Sequence, residues 1–200
     1  MKILSLETST TQGSIAIWQG RQFLFSKNFP QPRGRAGALL QILEQAIKMF
    51  GSADCIAIGT GPGSYNGIRA AIAVAEGLRL AWKASVLGIP SLLAVPSPAQ
   101  RYAVVGDARG NSFFFGAVIN EHLEDLRLFS AAEFRRRLET WQGPIYAAAP
   151  LPEFPHLILQ APTAEKLATL AATQTHTTKM PTPLYLKPPH ITQPARAFIN

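Results

Sequence analysis

Short apolar runs and longer mixed segments alternate along this chain. Ile3-Leu4-Ser5-Leu6 and Cys55-Ile56-Ala57-Ile58-Gly59 are short, dense in β-branched residues and bounded by polar turns, so both predict buried strands. Ala36 to Phe50 and Ile68 to Trp82 carry apolar residues at helical spacing in the first half, as do Ala131 to Leu138 and Thr163 to Ala172 in the second. The 68 to 82 segment is unusual. At about 100° per residue, Arg69, Glu76 and Arg79 fall within one narrow sector and leave most of the circumference apolar or small. Ala70, Ala71, Ala73, Ala75, Gly77 and Ala81 would let a neighbouring backbone approach closely. A helix with two dry sides is either sandwiched between layers of its own chain or meets a partner.

Between the second strand and this helix lies Gly61-Pro62-Gly63-Ser64-Tyr65-Asn66-Gly67-Ile68-Arg69. Three glycines and a proline shape a loop that can aim several amides at one point, and Asn66 or Ser64 is the candidate helix cap. Such a nest at a helix start can hold an anion, or it can simply turn the chain. The run is neither a Walker A loop, whose lysine is missing, nor a GxGxxG fingerprint.

The two halves repeat. Ile3 to Ser9 followed by Gly13 to Trp18 matches Ala103 to Arg109 followed by Phe113 to Val118, each reading strand, carboxylate, polar turn, strand. Glu7 and Asp107 end equivalent strands. The repeat predicts an α/β protein of two duplicated lobes, each a mixed sheet flanked by helices, facing a cleft. Punctuation by Pro90, Pro96 and Pro98 places the first lobe at residues 1–97 and a smaller second lobe at 98–175. A Pro-rich tail follows at 176–200, extended and with disordered last residues, in which Leu184-Tyr185-Leu186 is apolar enough to dock on the body.

Composition narrows the classes. With 200 residues, 47% hydrophobic and 16% charged, the chain can bury a sizeable core. No apolar run approaches the ~20 residues of a membrane span, and the N-terminus enters a strand without a signal peptide, so no membrane association and a cytoplasmic location are expected. The single cysteine, Cys55, lies in an apolar strand as a small buried hydrophobe. The net charge of +7 permits long-range attraction to nucleic acid, although the densest run, Arg135-Arg136-Arg137, is most simply a solvated helix face.

The inventory of reactive groups points away from catalysis. The histidines, His122, His156, His176 and His190, include no His-x-x-x-His pair for a helical metal site. Ser64 is not in a Gly-x-Ser-x-Gly elbow and has no assignable base. Glu7 and Asp107 could oppose one another across the cleft, yet carboxylates at strand ends more often cap loops. A competing reading is a small actin-like kinase or ATPase using Glu7 and Asp107 around Mg-ATP. A lone RNA-binding module would need aromatic platforms interleaved with Arg and Lys, and Phe113-Phe114-Phe115 better fits a buried strand.

The duplicated strand, acid and hairpin resemble the actin-like (ribonuclease H-like) ATPase superfamily. A more specific resemblance is to the bacterial TsaB (YeaZ) family, glycoprotease-like by its old name, carried in order by six motifs. These are Leu6-Glu7-Thr8-Ser9, the Gly61 to Arg69 run, the Ala73 to Leu80 helix, Gly88-Ile89-Pro90-Ser91-Leu92, Val105-Gly106-Asp107-Ala108-Arg109 and Pro183-Leu184-Tyr185-Leu186-Lys187. Glu7 stands where the family has aspartate, Tyr65-Asn66 where it has Phe-Thr, and Arg35-Ala36-Gly37-Ala38 where it has His-Ser before the first helix. The resemblance implies a non-catalytic subunit in tRNA threonylcarbamoyladenosine synthesis. It would bind and activate a larger TsaD-type catalytic paralogue, be joined by a TsaE-type small ATPase, and meet tRNA through the complex. It also implies docking through the first-lobe helices, with Leu39, Leu43, Ala46, Ile68, Ile72, Ala75, Leu78 and Arg79 as candidate contacts. Without the paralogue, a homodimer through the same surface would hide the apolar patch. Glu7, Thr8, Ser9, Gly61, Gly63, Ser64 and Asp107 are candidates for an anion or nucleotide contact. No catalytic residue and no metal site are expected, nor a tightly bound cofactor, with ATP or ADP and Mg entering only in the assembled complex.

Overall fold

A computed structural model of the chain describes residues 1–31 and 37–187. Three strands open the fold, β1 (Lys2–Glu7), β2 (Gln12–Gln19) and β3 (Gln22–Pro30), followed by α1 (Gly37–Phe50), β4 (Cys55–Gly59), α2 (Tyr65–Trp82) and β5 (Ser85–Ile89). A 3-10 turn, Ser91–Ala94, leads into β6 (Arg101–Asp107), β7 (Ser112–Ile119), β8 (His122–Ser130) and α3 (Ala131–Thr140). The chain then forms β9 (Ile145–Ala147), β10 (Ile158–Leu159) and α4 (Ala164–Ala171). The strands make two five-stranded sheets, ordered β3-β2-β1-β4-β5 and β10-β9-β6-β7-β8. In each, a meander of antiparallel strands is extended by parallel pairing across a crossover.

The repeat is close even in its irregularities. Register shifts between Ile17 and Trp18 in one sheet and between Ala117 and Val118 in the other. The β2–β3 and β7–β8 turns each place two successive residues in the left-handed region, Gly20 and Arg21 in one and Asn120 and Glu121 in the other. That geometry matches the twist of the flanking strands.

Strand alternation sorts the core into layers. Leu4 and Leu6 of β1, with Ile56 and Ile58 of β4, pack with Leu39, Leu43 and Ala46 of α1 and Ala71 and Ala75 of α2. The opposite set, Ile3, Cys55, Ala57 and Ile89, joins Leu92 and Leu93 of the 3-10 turn, Tyr102, Val104 and Val118 of the second sheet, and Leu167, Ala168, Leu170 and Ala171 of α4. Although α4 follows the second sheet in the chain, it packs on β1, β2 and β4 of the first. Continuous apolar packing therefore joins the lobes here, where the repeat alone predicts an open cleft. The second sheet's other side is aromatic, with Phe113 stacked on Phe134 at 4.8 Å and Phe154 edge-on to Phe134 at 4.8 Å.

Caps set the helix ends. Ser64, extended at φ −61° and ψ 109°, accepts from the Gly67 amide through its hydroxyl, so α2 begins at Tyr65, one turn before the expected Ile68. Ser130 and Glu133 form a reciprocal capping box at the start of α3. The predicted first residue of the first helix, Ala36, lies outside the described residues, as do residues 188–200 of the tail. The described part of the tail is a strap. Thr177 pairs with Val86 on the β5 edge, the Leu184 amide donates to the Thr60 carbonyl at 2.8 Å, and the Lys187 ammonium donates to the Arg109 carbonyl at 2.8 Å. Leu184 packs against the core.

Candidate functional site

Glu7, at the C-terminal end of β1, is fully enclosed. Its Oε1 accepts from the Ser9 amide at 2.7 Å, while Oε2 has no hydrogen-bond partner. Burial pushes the carboxyl above its usual range, opposed by the hydrogen bond from the Ser9 amide. A side chain at position 59 would collide with it, since a Cβ on Gly59 would stand 1.9 Å from Oε2. The Thr8 hydroxyl donates to the Gly67 carbonyl at 2.9 Å, and the Ser9 carbonyl accepts from the Ser64 amide at 2.6 Å.

The structure thus brings Glu7, Thr8, Ser9, Gly61, Gly63 and Ser64 together, but it turns their polar groups on one another. The Thr60 amide donates to Ile89, Gly61 to the Ser91 hydroxyl at 3.0 Å, Ser64 to Ser9, Gly67 to the Ser64 hydroxyl, and Ile68 to the Ser64 carbonyl. An anion nest needs those donors unclaimed. Those five amides are engaged within the chain, whereas the buried Ser9 hydroxyl, like Glu7 Oε2, has no hydrogen-bond partner. Asp107 is exposed, and its Oδ1 accepts from the Arg109 amide at 2.6 Å, repeating the Glu7 to Ser9 contact. Depressions of about 340 Å³ by Val95 and Tyr102 and about 310 Å³ by Thr11 and Phe29 involve neither carboxylate. No group of three or more metal-ligating side chains occurs among the described residues.

The helices offer a different surface. Leu39, Leu43, Ala46 and Ala75, candidates for partner contact from sequence, are buried in the first lobe's own core, on the sides of α1 and α2 that cover the sheet, and Ile68 is buried beside the Gly61 loop. Ile72, Leu78 and Arg79 stay partly exposed, with Arg79 paired to Glu76 at 2.9 Å. The outward line of α2 is instead Ala73, Gly77, Leu80 and Ala81, with Leu80 63% exposed, and Leu40 on α1 is also exposed. The signal that could have found this line is the i, i+4, i+7 spacing of Ala73, Gly77 and Leu80. At Gly77, no atom beyond its own helical backbone lies within 4 Å of where a Cβ would stand. A glycine inside a helix costs roughly 1 kcal/mol relative to alanine, and nothing within the chain requires it.

The family model described as "TsaD: tRNA N6-adenosine threonylcarbamoyltransferase" matches residues 36–139. The Escherichia coli tRNA threonylcarbamoyladenosine biosynthesis protein TsaB is 28% identical over 106 residues, covering 50% of this chain and 45% of the relative. The Haemophilus influenzae protein of the same name is 29% identical over 131 residues, covering 60% and 55%. The chain belongs to the TsaB/YeaZ family. It spans about half the length of the curated TsaB relatives it matches. Among solved structures, a Pseudomonas aeruginosa protein described as similar to peptidase YEAZ superposes with a TM-score of 0.74 at 25% identity, covering 93% of this chain and 99% of that one. YeaZ from the same organism gives 0.71 at 24% identity, covering 92% and 99%. The fold is therefore the duplicated, actin-like α/β architecture of YeaZ. Among the described residues, no helix is long and apolar enough to cross a membrane.

Proposed function

We propose that this chain is an accessory subunit of tRNA threonylcarbamoyladenosine synthesis that docks a TsaD-type catalytic paralogue on the outward face of α2 and thereby activates it. The carrying observation is the small-residue line of Ala73, Gly77 and Leu80, exposed on a helix whose other side already covers its sheet. Small residues let a partner helix approach at close range, and the exposed Leu80 supplies the apolar contact. The curated relatives bear the name of this pathway, and the matching family model is described as the transferase, which supports a related chain as the occupant. A TsaE-type small ATPase and tRNA then join through the assembled complex, as would ATP or ADP with Mg. In the absence of the paralogue, the same face would pair two copies of this chain.

The test is mass by light scattering of the chain alone and mixed with the TsaD-type paralogue from the same cell, using wild type, Gly77→Gln and Leu80→Glu. Both substitutions lie outside the core, unlike one at Ala75, which would disrupt folding. A heterodimer that either variant weakens at least tenfold supports the reading. No heterodimer, together with ATP hydrolysis lost in Glu7→Gln or Asp107→Asn, would replace it with the actin-like ATPase.

A further inference from the structure

An aromatic and basic platform, invisible in the sequence, forms where the tail crosses the start of α2. Tyr65, the first residue of α2, and Tyr185 of the strap stack at 5.1 Å between ring centroids and 24° between planes. Both residues remain exposed, at 37% and 42%. The Arg69 guanidinium lies 5.1 Å from the Tyr65 centroid and donates to its hydroxyl at 2.7 Å. Two residues beyond Tyr185, Lys187 reaches across to the Arg109 carbonyl and the Ser112 hydroxyl, bringing the Arg109 turn to the same side. Among the described residues, no carboxylate pairs with Arg69, Arg109 or Lys187; the acid nearest in sequence, Asp107, accepts from the Arg109 backbone.

Pinning the tail does not explain this arrangement. Leu184 already anchors the strap through its amide and its core packing, whereas a tyrosine recruited as an anchor would be buried. The charge distribution agrees. Residues 1–97 hold nine Lys and Arg against four Asp and Glu, and residues 176–200 hold three against none, while residues 98–175 hold seven against eight. All four first-lobe acids are engaged, since Glu7 is buried, Glu44 and Glu76 pair with Lys48 and Arg79, and Asp54 accepts from the Lys2 amide. Stacked, exposed tyrosines beside Arg69, with Lys187 two residues on, suit unpaired nucleotides, whose bases stack and whose phosphates need cations.

We infer that Tyr65, Tyr185, Arg69 and Lys187 form a contact site for single-stranded RNA, the bases stacking on the tyrosines and the phosphates meeting the two cations. The choice of RNA over other polyanions rests on the tRNA pathway proposed above; the stacking chemistry does not. The experiment is fluorescence anisotropy on the full chain with a labelled RNA stem-loop bearing seven unpaired nucleotides, against a blunt duplex of the same length. The stem-loop should bind more tightly, Tyr185→Ala and Tyr65→Leu should each weaken it roughly tenfold, and Lys27→Gln should leave it unchanged. Arg69→Gln and Lys187→Gln should each lower the salt dependence by about one. Equal affinity for duplex and stem-loop, unchanged binding by the tyrosine variants, or no binding by wild type overturns the inference. Light scattering of Tyr185→Ala with the paralogue separates the two readings. Retained heterodimer with lost RNA binding supports the platform, and loss of the heterodimer places the tyrosines in the protein interface and overturns it.

Discussion

Glu7 shows how a carboxylate at a strand end can be structural. Its folded form holds a proton that the unfolded chain releases above the ordinary carboxyl value of 4.5, because burial raises its pKa. Between that value and the raised one the native state binds more protons, so this group's contribution to stability falls as pH rises. Glu7→Gln keeps the acceptor for the Ser9 amide and removes the titration. Urea midpoints should therefore show the variant gaining on wild type as pH rises above 4.5; a constant difference would contradict a raised pKa. Gly59→Ala would drive a methyl into Oε2 and should cost about 3 kcal/mol or more. In a Glu7→Asp background, with the carboxylate one methylene shorter, that cost should shrink markedly; additive effects in the double mutant would deny the contact. The sequence shows the acid and the glycine loop. It does not show the lid, because Ser91 and the strap that close the cluster come from distant segments.

At the level of elements, the short strands, the hairpins and the repeat are readable because alternation and turn chemistry are local. The two dry sides of α2 are readable for the same reason. Which side meets the sheet is not, since alanine and glycine serve a core and a close interface equally well, and so Ala75 and Gly77 look alike until burial separates them. That ambiguity yields a prediction of opposite signs. Gly77→Ala should raise the stability of the isolated chain by roughly 0.5–1 kcal/mol, seen as a higher urea midpoint, because alanine is the better helix former and meets nothing inside the chain. The same substitution should weaken the heterodimer in light scattering by holding the partner backbone away. A variant that is more stable and equally well docked would remove Gly77 from the interface.

Across the whole molecule, the sequence suggests two lobes, and the packing makes them mechanically one. The inner face of the first sheet, Ile3, Cys55, Ala57 and Ile89, is covered by α4 and the 3-10 turn, and the same cluster holds Tyr102, Val104 and Val118 of the second sheet. Neither lobe can lose the other without exposing this surface to water, so the free energy of the interlobe core belongs to both. Repeat matching could not reveal this, since the first-lobe position corresponding to α4 holds only the 3-10 turn. The consequence is cooperative unfolding. Trp18 packs on this shared core, while Trp141 lies in the aromatic core of the second lobe. Single-tryptophan variants retaining one or the other should report the same urea midpoint. Leu167→Ala, which deletes a fully buried side chain at the junction, should lower both midpoints together by about 3 kcal/mol. Separate transitions, or a shift confined to Trp18, would mean that α4 belongs energetically to the first lobe alone.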